Sequence, residues 1–348
     1  MIGAALVAAL FVLAGRVTPD AAAHAVDVDL LLVLFALLVT VEILRASGWL
    51  DLAVAATVSR FHRTRSFAAA LIVFTGALAA LVTNDVALFV VIPFTVVASR
   101  FSDFDLEDAV VLEVIASNLL GCLTPLGNPQ NLFVFHQSGW SAGRFMLTML
   151  PFVAFSALGL ALALPLLGRS RPMAKTEVTL PARNNRAALA GAACFALVLL
   201  EIARVLPAWP AALAALTAGA IFLRRRFFAT DLSIVPLFFF AFIIVAGLRT
   251  FGAVHANIYW TSIGLSQVIS NVPATVLLAP FAAGDWRTLL YGVNAGGCGT
   301  IIASLANLLG WRIYARESGR DPRFFRRLTA INFAFLVWIA LGASLLKT

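Results

Sequence analysis

The stretch that most restricts the fold of this chain occurs twice. Asn118-Leu-Leu-Gly121-Cys122-Leu-Thr124-Pro125-Leu-Gly127-Asn128-Pro129-Gln130-Asn131 is echoed by Asn294-Ala-Gly-Gly297-Cys298-Gly299-Thr300-Ile-Ile-Ala-Ser304-Leu-Ala-Asn307. An asparagine, a glycine, a cysteine, a threonine and a closing asparagine recur at one offset (294 − 118 and 307 − 131, both 176), which indicates a duplication. Each copy lies in apolar sequence yet carries glycines, hydroxyls and carboxamides, and the first adds Pro125 and Pro129, so neither is a plain apolar helix. At membrane depth, polar and helix-breaking backbone is tolerated only where it is packed in protein or lines a cavity. Two such breaks in matching positions of two halves point to a binding site between them. The plainer alternative, two Gly-kinked helices in close packing, fits one copy better than two aligned ones.

The membrane setting follows from composition. Hydrophobic residues make up 61% of 348 and charged residues 12%, against about 45–50% and about 25% in soluble domains. The apolar runs are long and separated by short basic stretches, which means helices rather than the roughly ten-residue alternating strands of a barrel. The net charge of +8 comes from arginines dispersed among loops. They read as topology signals and not as a nucleic-acid surface. Cys122, Cys194 and Cys298 lie in apolar segments without CxxC spacing, so neither a zinc site nor a disulfide framework is supported. No cofactor motif is present.

Along the chain, Ile2 to Ala14 is apolar but short for a span, and Ala21-Ala-Ala-His-Ala25 resembles a cleavage site without a basic segment ahead of it, so a short helix is expected. Leu30 to Leu44 is the next helix, and its ending, Leu44-Arg45-x-x-Gly48, reappears as Leu248-Arg249-x-x-Gly252. The stretch 66–98 is too long for one straight span and is interrupted at Thr83-Asn84-Asp85, which predicts a helical hairpin turning there. Its partner is 253–283, turning at Ser270-Asn271-Val272-Pro273; Asn84, Pro93 and Phe94 match Asn271, Pro280 and Phe281. The expected organisation is therefore repeat 1 over 26–167 (hairpin 66–98, broken helix 107–137), a linker with two connecting helices over 168–229, and repeat 2 over 230–348 (hairpin 253–283, broken helix 286–312). The fold class is an all-α polytopic membrane protein with about nine transmembrane helices and two re-entrant hairpins. With hairpins that return to the face they left, 19 of 25 Lys and Arg fall on one side. That is the bias the positive-inside rule requires of the cytoplasmic face. The repeats are then inverted, the protein sits in the inner membrane, and the C-terminus is extracytoplasmic.

These residues resemble the ion transporter superfamily, closest to its arsenite-permease and NhaD-type antiporter branch, with divalent anion/sodium symporters as more distant relatives. The resemblance rests on Thr83-Asn84-Asp85 through Pro93, Asn118 through Asn131, Ser270-Asn271-Val272-Pro273, and Gly296 through Asn307 with the trailing Tyr314-Ala-Arg-Glu-Ser-Gly. It implies an inverted-repeat scaffold, often homodimeric, in which two hairpin tips and two broken helices meet near the midplane. It also implies movement of a small inorganic or carboxylate ion coupled to H⁺ or Na⁺. Two departures stand out: Asn128 replaces an acidic residue and Gln130 a proline found in many members.

The candidate binding residues are Thr83, Asn84, Asp85, Ser270 and Asn271 at the tips, and Asn118, Thr124, Gly127, Asn128, Asn131, Asn294, Thr300 and Asn307 in the breaks. Carboxamides and hydroxyls offer donors and acceptors to an oxyanion or to Na⁺, and Asn84 and Asn271 are the candidate Na⁺ ligands. The alternative for an asparagine at a turn is a helix cap. Asp85 has Val272 as its repeat counterpart, so symmetry does not require it, and a membrane-embedded acid costs about 2.5–3.5 kcal/mol. It is the candidate for coupling, with stabilisation of the helix N-terminus as the alternative. Glu113 either lines the path or faces a polar crevice. Glu42 with Arg45, and Glu201 with Arg204, read as interfacial ion pairs. His136 and His255 read as interfacial, and Phe238-Phe239-Phe240 as lipid-facing or core packing. A membrane-embedded enzyme lacks a supporting motif. A passive channel is the other alternative to a secondary transporter.

Overall fold

The computed structural model describes residues 2–49, 52, 61, 63–99, 105–168, 183–230, 232, 234–248, 257–318 and 322–346. Every regular element among them is a helix. Apolar α1 (Ile2–Leu13) is followed by α2 (Pro19–Ala25), over the stretch that resembles a cleavage site; the Thr18 hydroxyl accepts from the Ala21 amide at 3.1 Å and starts that helix. α3 (Val28–Ala46) begins on a similar cap from Asp27. α4 (Thr64–Val82) and α5 (Asn84–Ser99) are joined through Thr83 alone and pack on each other. α6 (Leu106–Leu119) ends in two single 3₁₀ turns, Gly121–Leu123 and Pro125–Gly127, before α7 (Pro129–Ser138) and α8 (Ala142–Ala163).

The second half repeats this order. After α9 (Asn185–Ile202) and α10 (Ala208–Phe222), α11 (Ile234–Leu248) leads to α12 (Ile258–Ile269) and α13 (Asn271–Leu278), joined through Ser270 alone. α14 (Trp286–Ala295) gives way to irregular backbone before α15 (Leu305–Ser318), and α16 (Pro322–Leu346) follows. The expected turns fall on single residues, both at positive φ: Thr83 has φ 136° and ψ 154°, Ser270 φ 74° and ψ 153°. A side-chain-bearing residue held at positive φ costs about 1–3 kcal/mol. Packing must hold both. Of the Leu-Arg-x-x-Gly landmarks, Arg249 and Gly252 lie outside the described residues, as do His255, 253–256 of the second hairpin, and 169–182 of the linker.

Thr64–Val82, Ala142–Leu167, Asn185–Ile202 and Pro322–Leu345 are long and apolar enough to cross a bilayer, and Asn84–Val96, Ala208–Phe222 and Asn271–Phe281 are shorter apolar helices. The outer faces of α8, α9, α10 and α16 expose Leu147, Leu189, Leu213 and Leu341, whereas Asn118, Asn131, Asn294 and Asn307 are all buried. Apolar outside and carboxamides inside is the arrangement of a multi-pass membrane protein. α3 packs on α9 and α10 as one layer, and alanines 208, 211, 215 and 218 on the buried face of α10 allow the close approach typical of membrane helices. α4 to α7 and α12 to α15 form a second body, with α5 on α15 and α12 on α14.

Asp108 on α6 is fully buried and takes two guanidinium hydrogen bonds from Arg327, which ties α6 to α16. Arg327→Met leaves that carboxylate buried and unpaired. The expected loss is about 3 kcal/mol, at the low end for a broken buried pair because Arg327 is partly exposed. Thermal unfolding in detergent reads it, and Asp108→Asn in the same background restores part of it. The pairing expected of Glu201 shifts. Glu201 faces His136 (Oε1 to Nε2, 3.4 Å), while Arg204 lies over the Phe135 ring and reaches the Phe135 carbonyl at 3.5 Å. Phe238 is core and Phe239 is exposed, so the aromatic run does both jobs proposed for it.

Candidate functional site

The two breaks meet inside the protein. Asn118, at the end of α6, donates Nδ2 to Asn307 Oδ1 on α15 at 2.9 Å. Asn294, at the end of α14, donates Nδ2 to Asn131 Oδ1 on α7 at 2.8 Å. The opening asparagine of each break thus holds the closing asparagine of the other. Asn128 and Ser304, matched at the same offset, continue the pattern: Asn128 Nδ2 lies 3.4 Å from Asn294 Oδ1, and Ser304 Oγ donates to Asn118 Oδ1 at 2.9 Å. Each closing asparagine also binds its own uncoiled backbone. Asn131 Nδ2 donates to the carbonyls of Cys122 (3.1 Å) and Thr124 (3.5 Å), and Asn307 Nδ2 to those of Gly297 (2.9 Å) and Thr300 (3.1 Å).

Thr124 and Thr300 brace the breaks from outside. Their hydroxyls donate to the carbonyls of Ala80 on α4 and, at 2.9 Å, Gln267 on α12. Gly127 is fixed by close approach, because a Cβ there would overlap the Gly121 carbonyl and lie 3.2 Å from that of Ala79. Carboxamides pair here because each carries two donors and an acceptor oxygen with two lone pairs. Such a lattice satisfies polar groups at depth that would otherwise cost several kcal/mol each.

The tips join this lattice from two sides. Asn84 donates Nδ2 to Asn118 Oδ1 at 3.3 Å and accepts the Asp85 amide at 2.9 Å, so it both caps and links. The Asn271 amide donates to the Ala303 carbonyl at 2.9 Å and the Ser270 hydroxyl to the same oxygen at 3.5 Å. The Asn271 side chain, 3% exposed and close to Gly297, makes no hydrogen bond among the described residues. α5, α7, α13 and α15 all begin at this centre, so four positive helix ends converge on it.

A crevice of about 290 Å³ runs from the centre along the seam between α3 and the second body. Thr83, Asp85 and Asn128 line its floor, and the Thr83 hydroxyl and Asn128 Oδ1 are buried without a protein partner. Its walls are leucines and Phe89. Glu42, Arg45 and Arg316 line its more exposed end, with Arg45 3.4 Å from Glu42 and 5.0 Å over the Phe89 ring. The crevice therefore sets oxygen acceptors at the floor and, at the mouth, two guanidinium groups with the Glu42 carboxylate. A second cavity, also about 290 Å³, is lined by His24, Asp27, Gln137 and Trp286. Phe133, two residues past Asn131, lines it and packs on Phe238 and Phe242 with ring centroids 6.1 and 5.8 Å away.

All thirteen expected residues lie in or against this centre, although Thr124, Thr300 and Gly127 hold its shape rather than face its crevice. Sequence reading missed three partners. Gln130 donates to Asn294 Oδ1 at 3.2 Å, Ser304 takes the place of Asn128, and Gln267 donates to the Gly296 and Cys298 carbonyls at 2.9 and 3.0 Å. None is an identity between the two copies; the equivalence of Asn128 and Ser304 could have been found from their shared offset. Among the described residues no group of three or more His, Cys, Asp or Glu could hold a metal ion.

Comparison with known proteins agrees with this picture. The family profile described as Citrate transporter, CitMHS, matches residues 1–290. An uncharacterized transporter of Methanocaldococcus jannaschii is 33% identical over 323 residues, covering 87% of this chain and 86% of the relative. The inner membrane protein YbiR of Escherichia coli is 30% identical over 330 residues, 91% of this chain and 87% of the relative. An uncharacterized transporter of Mycobacterium tuberculosis is 27% identical over 368 aligned positions. With its paired breaks, its apolar exterior and a match over most of its length, this chain belongs to the CitMHS citrate transporter family, a family of membrane transporters and not of enzymes.

Proposed function

We propose that the chain is a secondary active transporter of a small carboxylate anion, moved together with H⁺ or Na⁺ across the inner membrane. Its halves, 26–167 and 230–348, act as inverted repeats around the asparagine centre. The observation that carries this reading is the reciprocal pair Asn118–Asn307 and Asn294–Asn131, which a twofold relation between the breaks produces and a chance packing of kinked helices does not. Re-entrant arms ending at Thr83 and Ser270 then present Asn84 and Asn271 to the ion, with Na⁺ at these carboxamides as one form of coupling.

The charge layout supports a carboxylate over arsenite. Arsenite is mostly an uncharged hydroxide at neutral pH and gains little from a mouth where Arg45 and Arg316 outnumber Glu42, whereas a di- or tricarboxylate is drawn in by that net positive charge. Asp85, which lines the floor, is the acid we assign to coupling, with a proton or cation entering alongside the anion. Sodium/proton exchange is the second reading, and the acceptor-rich floor is what favours it. In the orientation proposed, the Arg45 end faces the cytoplasm, the Phe133–Phe238–Phe242 cluster is the closed side, and the C-terminus is extracytoplasmic. A homodimer burying exposed leucines would complete the scaffold.

The test is uptake of labelled citrate, arsenite or sodium into liposomes holding the purified protein, with and without an imposed H⁺ or Na⁺ gradient. Citrate accumulating above its outside concentration under one gradient is expected. Simple equilibration would make the protein a channel, and sodium flux without citrate would favour the exchanger. Asp85→Asn is expected to end gradient-driven accumulation while leaving the protein folded. Arg45→Gln should raise the citrate KM by about tenfold, the equivalent of about 1.4 kcal/mol, with kcat little changed.

A further inference from the structure

Glu113 belongs to neither the crevice nor the asparagine lattice, yet it is the most deeply buried acid near them. It is fully buried on α6, five residues before Asn118, and its Oε2 has no hydrogen-bond partner. Its one polar contact among the described residues is the Thr95 hydroxyl of α5, 2.6 Å from Oε1. That hydroxyl also lies 3.1 Å from the Val91 carbonyl. A hydroxyl has a single proton and two acceptor lone pairs. Facing a carboxylate and a carbonyl, Thr95 can satisfy one of them. Facing a carboxylic acid, it accepts a hydrogen bond from the Glu113 O–H and donates its own to the Val91 carbonyl, and both short contacts become hydrogen bonds. The geometry therefore fits the protonated acid.

Among the described residues no cation pairs with Glu113 to hold the ionised form. On α6 itself, Asp108 is bound to Arg327 and Glu107 lies on the first turn. α5 carries Asp85 at its far end beside the crevice, and α4 carries Arg65 on its first turn. α15 carries Arg312 and Arg316, and α16 carries Arg323, Arg326 and Arg327. α8 and α14 contribute Arg144 and Arg287 in their first turns. None of these pairs with Glu113. At the level of Glu113, α15 passes as Gly310, where a Cβ would overlap the Val114 side chain. The acid thus sits where α5, α6 and α15 meet, the helices that carry Asn84, Asn118 and Asn307.

We propose that Glu113 is a proton-binding site of the transport cycle, separate from Asp85, that takes up and releases the coupled H⁺ as α5 and α15 move over α6. The proposal rests on the transporter reading above. Ionisation of Glu113 in the packed state leaves a buried, unpaired carboxylate, so deprotonation requires the seam between α5 and α15 to open to water. Proton release is thereby linked to the movement of helices that hold the anion site.

Two measurements on the full-length protein test this. Infrared spectroscopy in lipid nanodiscs at neutral pH should show a protonated-carboxyl C=O band that Glu113→Gln removes and Asp85→Asn does not. A spectrum unchanged by Glu113→Gln overturns the proposal. In liposomes carrying a trapped pH dye, wild type should move protons when citrate is added. Glu113→Gln, whose amide keeps a hydrogen-bond donor for the Thr95 hydroxyl as the protonated acid does, should still exchange labelled citrate across the membrane but move protons no faster than protein-free vesicles. Proton movement at the wild-type level in Glu113→Gln overturns the proposal too. If wild type exchanges no citrate and moves no protons, the transporter reading fails for citrate, and the infrared band still decides whether Glu113 holds a proton.

Discussion

Asn294→Ala abolishes transport and lowers stability by about 2–4 kcal/mol, more than any single change at the crevice. The estimate follows from what is left behind, because a buried polar group stripped of its partner costs about 1–3 kcal/mol. Asn294 donates to Asn131 Oδ1 and to the Leu290 carbonyl and receives Asn128 and Gln130, so truncation orphans groups on α7 and the first break together. Asn118→Ala removes the matching set, with Asn84, Ser304 and Asn307 losing their partner. The two variants should therefore resemble each other in citrate uptake and in thermal unfolding. The double variant should lose less than the sum, since both act on one lattice. A wild-type unfolding temperature in either single variant would mean that the asparagines do not hold the breaks together.

Gly127→Ala has the second large effect, and it acts on folding before function. The added methyl would overlap the Gly121 carbonyl, and both the first break and the last turn of α4 would have to move to admit it. Relief of such overlap by a backbone shift costs more than the 1–3 kcal/mol typical of an overpacked core. Little folded protein is expected on size-exclusion chromatography of detergent extracts. Gly143→Ala, where a methyl meets open space, serves as the control and should behave as wild type.

How much of this was legible in the sequence depends on whether a residue recurs at the matching position of the other half. Asn118, Asn131, Asn294 and Asn307 were legible because they recur at one offset, and their spacing against glycine and proline marked uncoiled helix. The two turns were legible because Asn84 and Asn271 kept their places. Gln267 was not, because its counterpart is Ala80, whose backbone carbonyl receives the Thr124 hydroxyl as that of Gln267 receives Thr300. The symmetry there belongs to the main chain, which sequence identity does not record. The crevice was also hidden. Its walls pair Leu34 and Leu37 of α3 with Leu305 and Leu309 of α15, residues brought together by tertiary packing and by no periodicity in either segment. Glu201 and Arg204 illustrate the opposite error, since i,i+3 spacing suggested a pair that the proximity of His136 and Phe135 overrides.

The central claim is that the paired breaks form one polar centre that opens to one side of the membrane through the crevice. Its most direct test is a single cysteine at Thr83 in a background with Cys122, Cys194 and Cys298 replaced by serine or alanine, labelled by a membrane-impermeant thiol reagent from either side. Labelling from the side that carries Arg45, slowed when citrate is present, is the expected result. A cysteine that reacts equally from both sides, or from neither, would contradict it.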